Sequence, residues 1–358
     1  MKKLFALILA LLMIFSLVAC GQKEEAAPAE KEETAAPAEK EEAAPAEKEE
    51  AAPAEDGLVI GYSLGDLNAA FFEAEKVEAE RLAAELGIEI IVTVADGDTD
   101  KQNSQIEDLI TRGVDAICCV PQDTNAILSA VDACAEAGVP FVAVGRPPAD
   151  LTNVSYSILA DEVICGEMGA VLIAERAEAA GIDQVRVIEM IGDYSDMNAV
   201  NRQKGFEAKA EELGFEIVGT VSTEWNADTA YNRFNDLVTT GVEFNAVYLP
   251  SDMLIPSTIS VLEQHGLFFP VGEEGHVIVT GTDGETASIQ AILDGKTDGV
   301  VNCDAFVCAR EGIMAAKAFA EGNAPEGDSL IVELMLVHSD NVEQLVADQA
   351  IWGAMGIE

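Results

Sequence analysis

From residue 57 onward the chain alternates apolar runs of strand length with amphipathic stretches of helix length, and the alternation occurs twice. In the first series residues 58–64, 88–95, 116–120 and 141–144 read as strands, with helices over 69–86, 101–111 and 124–137. In the second, 185–191, 216–221, 246–249 and 277–281 read as strands, with helices over 198–213, 227–239 and 253–265. Gly87 and Gly138 stand where two of these helices must stop. Nearly every strand is a continuous apolar run rather than an alternating one. Such runs suit a sheet covered on both faces, with parallel strands and helices on each side. The fold class this implies is α/β, with two doubly wound parallel-sheet lobes.

A local echo supports duplication. Thr111-Arg112-Gly113-Val114-Asp115 leads into a strand ending at Pro121-Gln122-Asp123, and Thr240-Gly241-Val242-Glu243 leads into one ending at Pro250-Ser251-Asp252. Open parallel sheets hold ligands beyond the carboxyl ends of their strands. Two such sheets facing each other would make one cleft from two sets of strand-end loops.

Charge and cysteine usage exclude several functions. The chain carries 65 acidic and 20 basic residues, a net charge of -45. That field repels phosphate backbones and anionic lipid, so no nucleic-acid partner is expected and membrane contact needs a covalent anchor. Besides Cys20 there are Cys118, Cys119, Cys134, Cys165, Cys303 and Cys308, with no C-x-x-C spacing. Cys118 and Cys119 are adjacent in a strand-like run and must face opposite ways. Most of the six read as small buried apolar residues, and no structural zinc is expected. His265, His276 and His338 form no metal motif, and no phosphate-binding G-x-x-x-x-G-K-[ST] loop occurs. No cofactor or metal is expected, and any ATP hydrolysis belongs to a different chain.

The first residues address the protein. Lys2 and Lys3 precede an apolar run over 4–15, as in a secretory signal peptide. The run is short for a membrane span, which needs about 20 apolar residues. Leu17-Val18-Ala19-Cys20-Gly21 resembles the lipobox of bacterial lipoproteins. That resemblance implies cleavage before Cys20, a lipid on its sulfur, and a place on the outer face of the cell membrane. Residues 22–56 repeat Glu, Ala, Pro and Lys with 13 acidic and 4 basic side chains and no aromatic or branched aliphatic one. Such a segment cannot build a core and reads as a disordered, extended tether.

Four stretches carry a family resemblance: Leu67-Asn68-Ala69-Ala70-Phe71-Phe72, Val139-Pro140-Phe141-Val142-Ala143-Val144-Gly145-Arg146, Asn201-Arg202-Gln203-Lys204-Gly205-Phe206, and Gly281-Thr282-Asp283-Gly284 followed by Ala291-Ile292-Leu293-Asp294-Gly295-Lys296. In order and spacing the chain resembles the type I periplasmic sugar-binding proteins, the ribose- and galactose-binding group that feeds ABC importers. The resemblance covers about residues 58–342. It implies a monomer with a sugar cleft between two lobes, delivery to a permease with a separate ATPase or to a chemosensory receptor, and no catalysis. It also implies three crossovers, near 159–162, 281–285 and 302–304. The domains that follow are 1–19 (signal peptide), 20–56 (lipidated tether), 57–160 plus about 304–335 (lobe 1) and 161–303 plus about 336–358 (lobe 2).

A sugar site needs flat apolar groups against C–H faces and charged hydrogen-bonding groups around the hydroxyl rim. By resemblance Phe71, Phe72 and Trp225 are candidate stacking rings, with one phenylalanine expected in the core. Arg146 and Arg202 are candidate rim forks, and Asp283 a candidate hydroxyl acceptor. Ser63, Asn68, Asp123, Ser251, Asp252, Asn302 and Cys303 are secondary candidates. The chain departs from the family pattern at Ala69, Gly145 and Cys303, where amide or carboxylate side chains are common. These departures put ribose and glucose in doubt and leave larger, modified or acidic sugars open, as well as a nucleoside or furanosyl signal molecule.

Two other motifs compete. Gly61-Tyr62-Ser63-Leu64-Gly65 fits a nucleophile elbow, and Ser63, Asp283 and His338 occur in hydrolase order. The match falls on the first strand, with no preceding oxyanion loop. Asp96, Asp98, Asp100, Gln102, Ser104 and Glu107 mimic calcium-loop spacing, but Lys101 occupies the position of the turn glycine. The tail over 344–358 has no assigned role, and Trp352 is expected to pack on a lobe.

Overall fold

The computed structural model describes residues 57–357; the expected signal peptide, Cys20 and the expected acidic tether lie outside the described residues. In chain order the first elements are β1 (Val59–Leu64), α1 (Ala70–Leu86), β2 (Glu89–Val94), α2 (Thr99–Arg112), β3 (Ala116–Val120), α3 (Leu128–Ala137), β4 (Phe141–Val144) and β5 (Tyr156–Ala160). Then come α4 (Glu162–Ala180), β6 (Arg186–Ile191), α5 (Met197–Glu212), β7 (Glu216–Ser222), α6 (Ala227–Thr239), β8 (Ala246–Tyr248), α7 (Ile255–Gln264), β9 (Ile278–Asp283) and α8 (Thr286–Leu293). The chain ends with β10 (Gly299–Cys303), α9 (Ala305–Ala320), β11 (Ser329–Val332), β12 (Leu334–His338), α10 (Val342–Ala347) and a short 3-10 turn, Trp352–Ala354.

The strands form two six-stranded sheets, ordered β11-β5-β4-β3-β1-β2 and β12-β10-β9-β8-β6-β7. The orders superimpose strand for strand, so the two halves repeat one winding. The echoed stretches lead into β3 and β8, which hold the same place in their sheets. All pairings in the first sheet are parallel, with β1 registered Ile60↔Ile90 on one side and Ile60↔Ala116 on the other. The second sheet has one antiparallel edge, β12 against β10, with Gly299 opposite His338.

Each sheet is covered on both faces, which is why its strands are uninterrupted apolar runs. In the first lobe Tyr62, Cys118, Val142 and Val144 pack with α1 and α9 on one face. Ile117, Cys119, Phe141 and Ala143 pack with α2 and α3 on the other. Cys118 and Cys119 thus point to opposite faces. All six described cysteines are buried and free.

Two crossovers run from β5 into α4 and from β10 into α9. The third lies at Glu333, the single residue between β11 of the first sheet and β12 of the second. The crossover expected near 281–285 is not there. β9 turns directly into α8, which packs on β10 within the second lobe. Only one residue separates β11 from β12, so no helix marks that crossing in the sequence.

Aspartates and an asparagine close the strand-end loops as helix caps. Asp98, Asp161, Asp196, Asn226 and Asp304 each accept backbone amides at the first turns of α2, α4, α5, α6 and α9. Asp98 of the calcium-like string is such a cap, and Lys101 pairs with Asp96 at 2.5 Å.

Candidate functional site

The carboxyl ends of the two sheets face one cavity of about 170 Å³. Its wall takes Asn68, Phe71, Phe72, Arg146 and Cys308 from the first lobe, and Arg202, Trp225, Ser251, Asp283 and Cys303 from the second.

Arg146 follows β4 through Gly145, whose φ of 68° favours glycine. Its Nη1 donates to the Pro121 and Gln122 carbonyls at 2.6 and 3.1 Å. Its Nη2 reaches across the cleft to Asp196 Oδ2 at 2.9 Å. The guanidinium lies 5.9 Å from the Phe72 ring centre. Phe71 and Phe72 meet edge to face, with centroids 5.8 Å apart. Both line the cavity, although Phe71 also belongs to the core of the first lobe.

Opposite them stands Trp225. Its Nε1 donates to the same Asp196 Oδ2, at 3.0 Å, and a Cβ on Gly192 would overlap the indole ring. Glu224 and Trp225 have consecutive positive φ values of 54° and 51°. Two adjacent non-glycine residues in the left-handed region hold strain, which persists only where contacts over-determine the loop. The indole's seat on Gly192 and its bond to Asp196 supply those contacts.

Arg202 is the buried charge of the second lobe. Its Nε and Nη2 fork onto Glu162 at 2.5 and 3.2 Å, and its Nη1 donates to the Pro250 carbonyl at 2.6 Å and Asp283 at 3.3 Å. Burial opposes the Arg202 charge, but Glu162 and Asp283 outweigh it and hold its pKa well up. The Ser251 hydroxyl donates to Asp283 at 2.6 Å. Burial raises the Asp283 pKa, against the pull of Arg202 and Ser251. Asp283 also has a φ of 108°, a third strained backbone position at the cavity.

Contacts cross between the lobes around the cavity. Besides Arg146–Asp196, Asn198 Nδ2 donates to the Gly145 carbonyl at 2.9 Å. Burial, then Asp283, pushes the pKa of the neighbouring Glu285 up to about 7. The structure is therefore a closed form, with the lobes touching around the cavity.

Four candidate site residues, Ser63, Asp123, Asp252 and Asn302, do not line the cavity. Ser63 is fully buried within β1, where Gln102 Nε2 approaches its hydroxyl at 3.3 Å. His338 ends β12 in the other sheet, so the hydrolase-like trio is not assembled. Asp252 lies beneath the wall. Its carboxylate caps the next loop by accepting from Gly284 N, Glu285 N and Ser288 Oγ at 2.8, 3.0 and 2.5 Å. Asn302 packs under Gly284, where a Cβ would overlap its Oδ1. Asp123 likewise caps its own loop at Asn125 and Ala126.

The cavity also has lining residues that the sequence reading missed: Asp66, Gln122, Glu162, Asp193, Ser195, Asp196, Asn198, Glu224, Met253 and Cys308. Most are polar residues in cap or turn positions. Their only sequence signal was placement at strand ends, which a plain helix cap shares. Among the cavity-lining residues, six carboxylates accompany two arginines, and both arginines are already engaged by carboxylates.

Known proteins bear on this arrangement. Residues 60–324 match the family model described as periplasmic binding protein domain. The ribose import binding protein RbsB of Bacillus subtilis (strain 168) is 28% identical over 68% of this chain and 75% of its own length. The D-apiose import binding protein of Paraburkholderia graminis is 24% identical over 77% of this chain and 85% of its own. A solved ABC transporter solute binding protein from Mycobacterium smegmatis, with bound glycerol, superimposes with a TM-score of 0.72 and 26% identity, covering 81% of this chain and 96% of that one. With its two like-wound lobes and the cleft between them, the chain belongs to the type I periplasmic binding protein family.

Proposed function

We propose that the protein is an exported solute receptor that encloses one small neutral sugar or sugar alcohol and delivers it to an ABC importer. The observation that carries this reading is the make-up of the cavity. Aromatic faces (Phe72 and Trp225) and hydrogen-bonding groups (Arg146, Arg202, Asp283) come from both lobes and converge on one space. Rings cover C–H faces, and forks and carboxylates serve hydroxyls that both donate and accept. A volume of about 170 Å³ lies below the roughly 300–1,000 Å³ of drug-sized sites, which favours a single small ring over an oligosaccharide. Both arginines are neutralised, so an acidic sugar gains little and would meet surplus carboxylates. The relatives named for ribose and apiose import fit a pentose-sized ligand.

In this reading a ligand favours the closed form because it touches both lobes, and release reopens it. A lipid on Cys20 holds the receptor at the membrane, and the acidic tether gives it reach. Mass spectrometry of small molecules released from the purified protein tests the reading. A mass matching a pentose, hexose or polyol supports it, whereas an amino acid, peptide or nucleoside overturns it. Replacing Trp225 by Ala should weaken sugar binding about 30-fold or more, the loss of a central aromatic anchor.

A further inference from the structure

Behind the cavity-lining Phe71 and Asp283 sits the second of the chain's two tryptophans. Trp352 is carried by the tail after α10 and is 5% exposed. Its backbone turn lies on α8 of the second lobe, where a Cβ on Gly353 would overlap the Gly284 carbonyl. Its ring, however, belongs to the apolar cluster of the first lobe. It meets Phe71 edge to face at 5.8 Å and 89°, and Phe306 at 6.3 Å and 61°. Its Nε1 donates to the main-chain carbonyl of Asp283 at 2.9 Å.

One side chain therefore touches two walls of the cavity from behind. Phe71 is a lining ring of the first lobe, and Asp283 is a lining carboxylate of the second. Asp283 is also the residue with φ 108°, a conformation that needs outside support. We propose that Trp352 is a positioning residue for the sugar site: it fixes the Asp283 backbone and the Phe71 ring together and joins the lobes in the closed form. The inference rests on the sugar-receptor reading for its binding consequence but not for its bridging geometry. The Phe71 and Phe306 contacts belong to one lobe and the Asp283 bond to the other, so this one side chain spans the two lobes beside the crossover from β10 into α9.

The test compares full-length wild type with Trp352→Ala and Trp352→Phe. Phe keeps an aromatic ring while removing the N–H donor and part of the indole, a milder change that covers the case in which the alanine variant folds poorly. Hydrogen exchange, measured without ligand, should speed up in both 69–73 and 283–286. Exchange that changes only in the second-lobe segment and the tail would overturn the bridge. Binding is then measured with D-ribose, D-apiose and myo-inositol. Whichever binds wild type should bind Trp352→Ala at least about tenfold more weakly, the scale of two aromatic contacts and a hydrogen bond lost from the closed form. Trp352→Phe should fall between the two. An affinity within twofold of wild type, alongside a lowered melting temperature, would make Trp352 a structural anchor only and overturn the proposal. If none of the three sugars binds wild type, the sugar reading is what has failed, and hydrogen exchange still decides the bridge.

Discussion

Glu75 sits on α1 beneath the cavity floor, fully buried, and neither carboxylate oxygen has a hydrogen-bond partner among the described residues. Burial, only partly offset by Arg146, pushes its pKa up to about 8. An acid whose folded pKa lies above its unfolded value binds more protons when folded. Its contribution is intact below the unfolded value, near 4.5, and is lost as pH rises toward 8. Glu75→Gln should therefore match wild type in melting temperature near pH 4.5 and exceed it increasingly up to pH 8; a gap independent of pH would contradict the assignment. Arg202 obeys the opposite logic. Its removal leaves Glu162 and Asp283 as uncompensated buried charges, so Arg202→Ala should cost about 3–5 kcal/mol of stability in denaturant titration. At this scale Arg146, Arg202, Trp225 and Asp283 were legible as strand-end residues, and the structure brings them round one cavity. Glu162 and Asp196 were not, because a carboxylate at a helix start satisfies backbone amides equally well without any ligand.

Helices α4 and α5 hold Glu162 against Arg202, and glycine sets their spacing. A Cβ on Gly166 would overlap the Arg202 carbonyl, and one on Gly205 would overlap the Val163 carbonyl. The two backbones are in direct contact at this crossing. Gly205→Ala should push them apart, lower stability by roughly 1–3 kcal/mol as overpacking does, and weaken sugar binding by moving Arg202. Thermal denaturation and calorimetry on the same sample check both effects, and unchanged values for both would contradict the contact. Strands β1 to β4 and β6 to β9, with the helices α1 to α3 and α5 to α7, were legible because their burial is one-sided or complete over several residues; β5, β10, β11 and β12 were not read from the sequence. α4 was not: it buries Cys165, Gly166, Gly169, Leu172 and Ile173 on several faces, and its glycines lower helix propensity. The missed crossover at Glu333 has a related cause, since a one-residue change of sheet leaves no mark in apolar periodicity.

At the scale of the molecule, two like-wound lobes close over a space that neither could form alone. Duplication was visible in the repeated alternation, and the equivalent strand orders account for it. The sequence reading put the tail with the second lobe, but the reach of Trp352 into the first was not visible, because its contacts join positions far apart in the chain. Ligand binding should draw the lobes together, so small-angle scattering should give a smaller radius of gyration with bound sugar than without. Equal radii would argue against closure. The central claim is that the cavity holds one small sugar between the lobes, and titration calorimetry of the full-length protein against monosaccharides and polyols tests it most directly. The account predicts saturable one-to-one binding of at least one of them, weakened about 100-fold or more by Asp283→Ala. Absence of saturable binding across the panel, or an affinity that Asp283→Ala leaves unchanged, would contradict it.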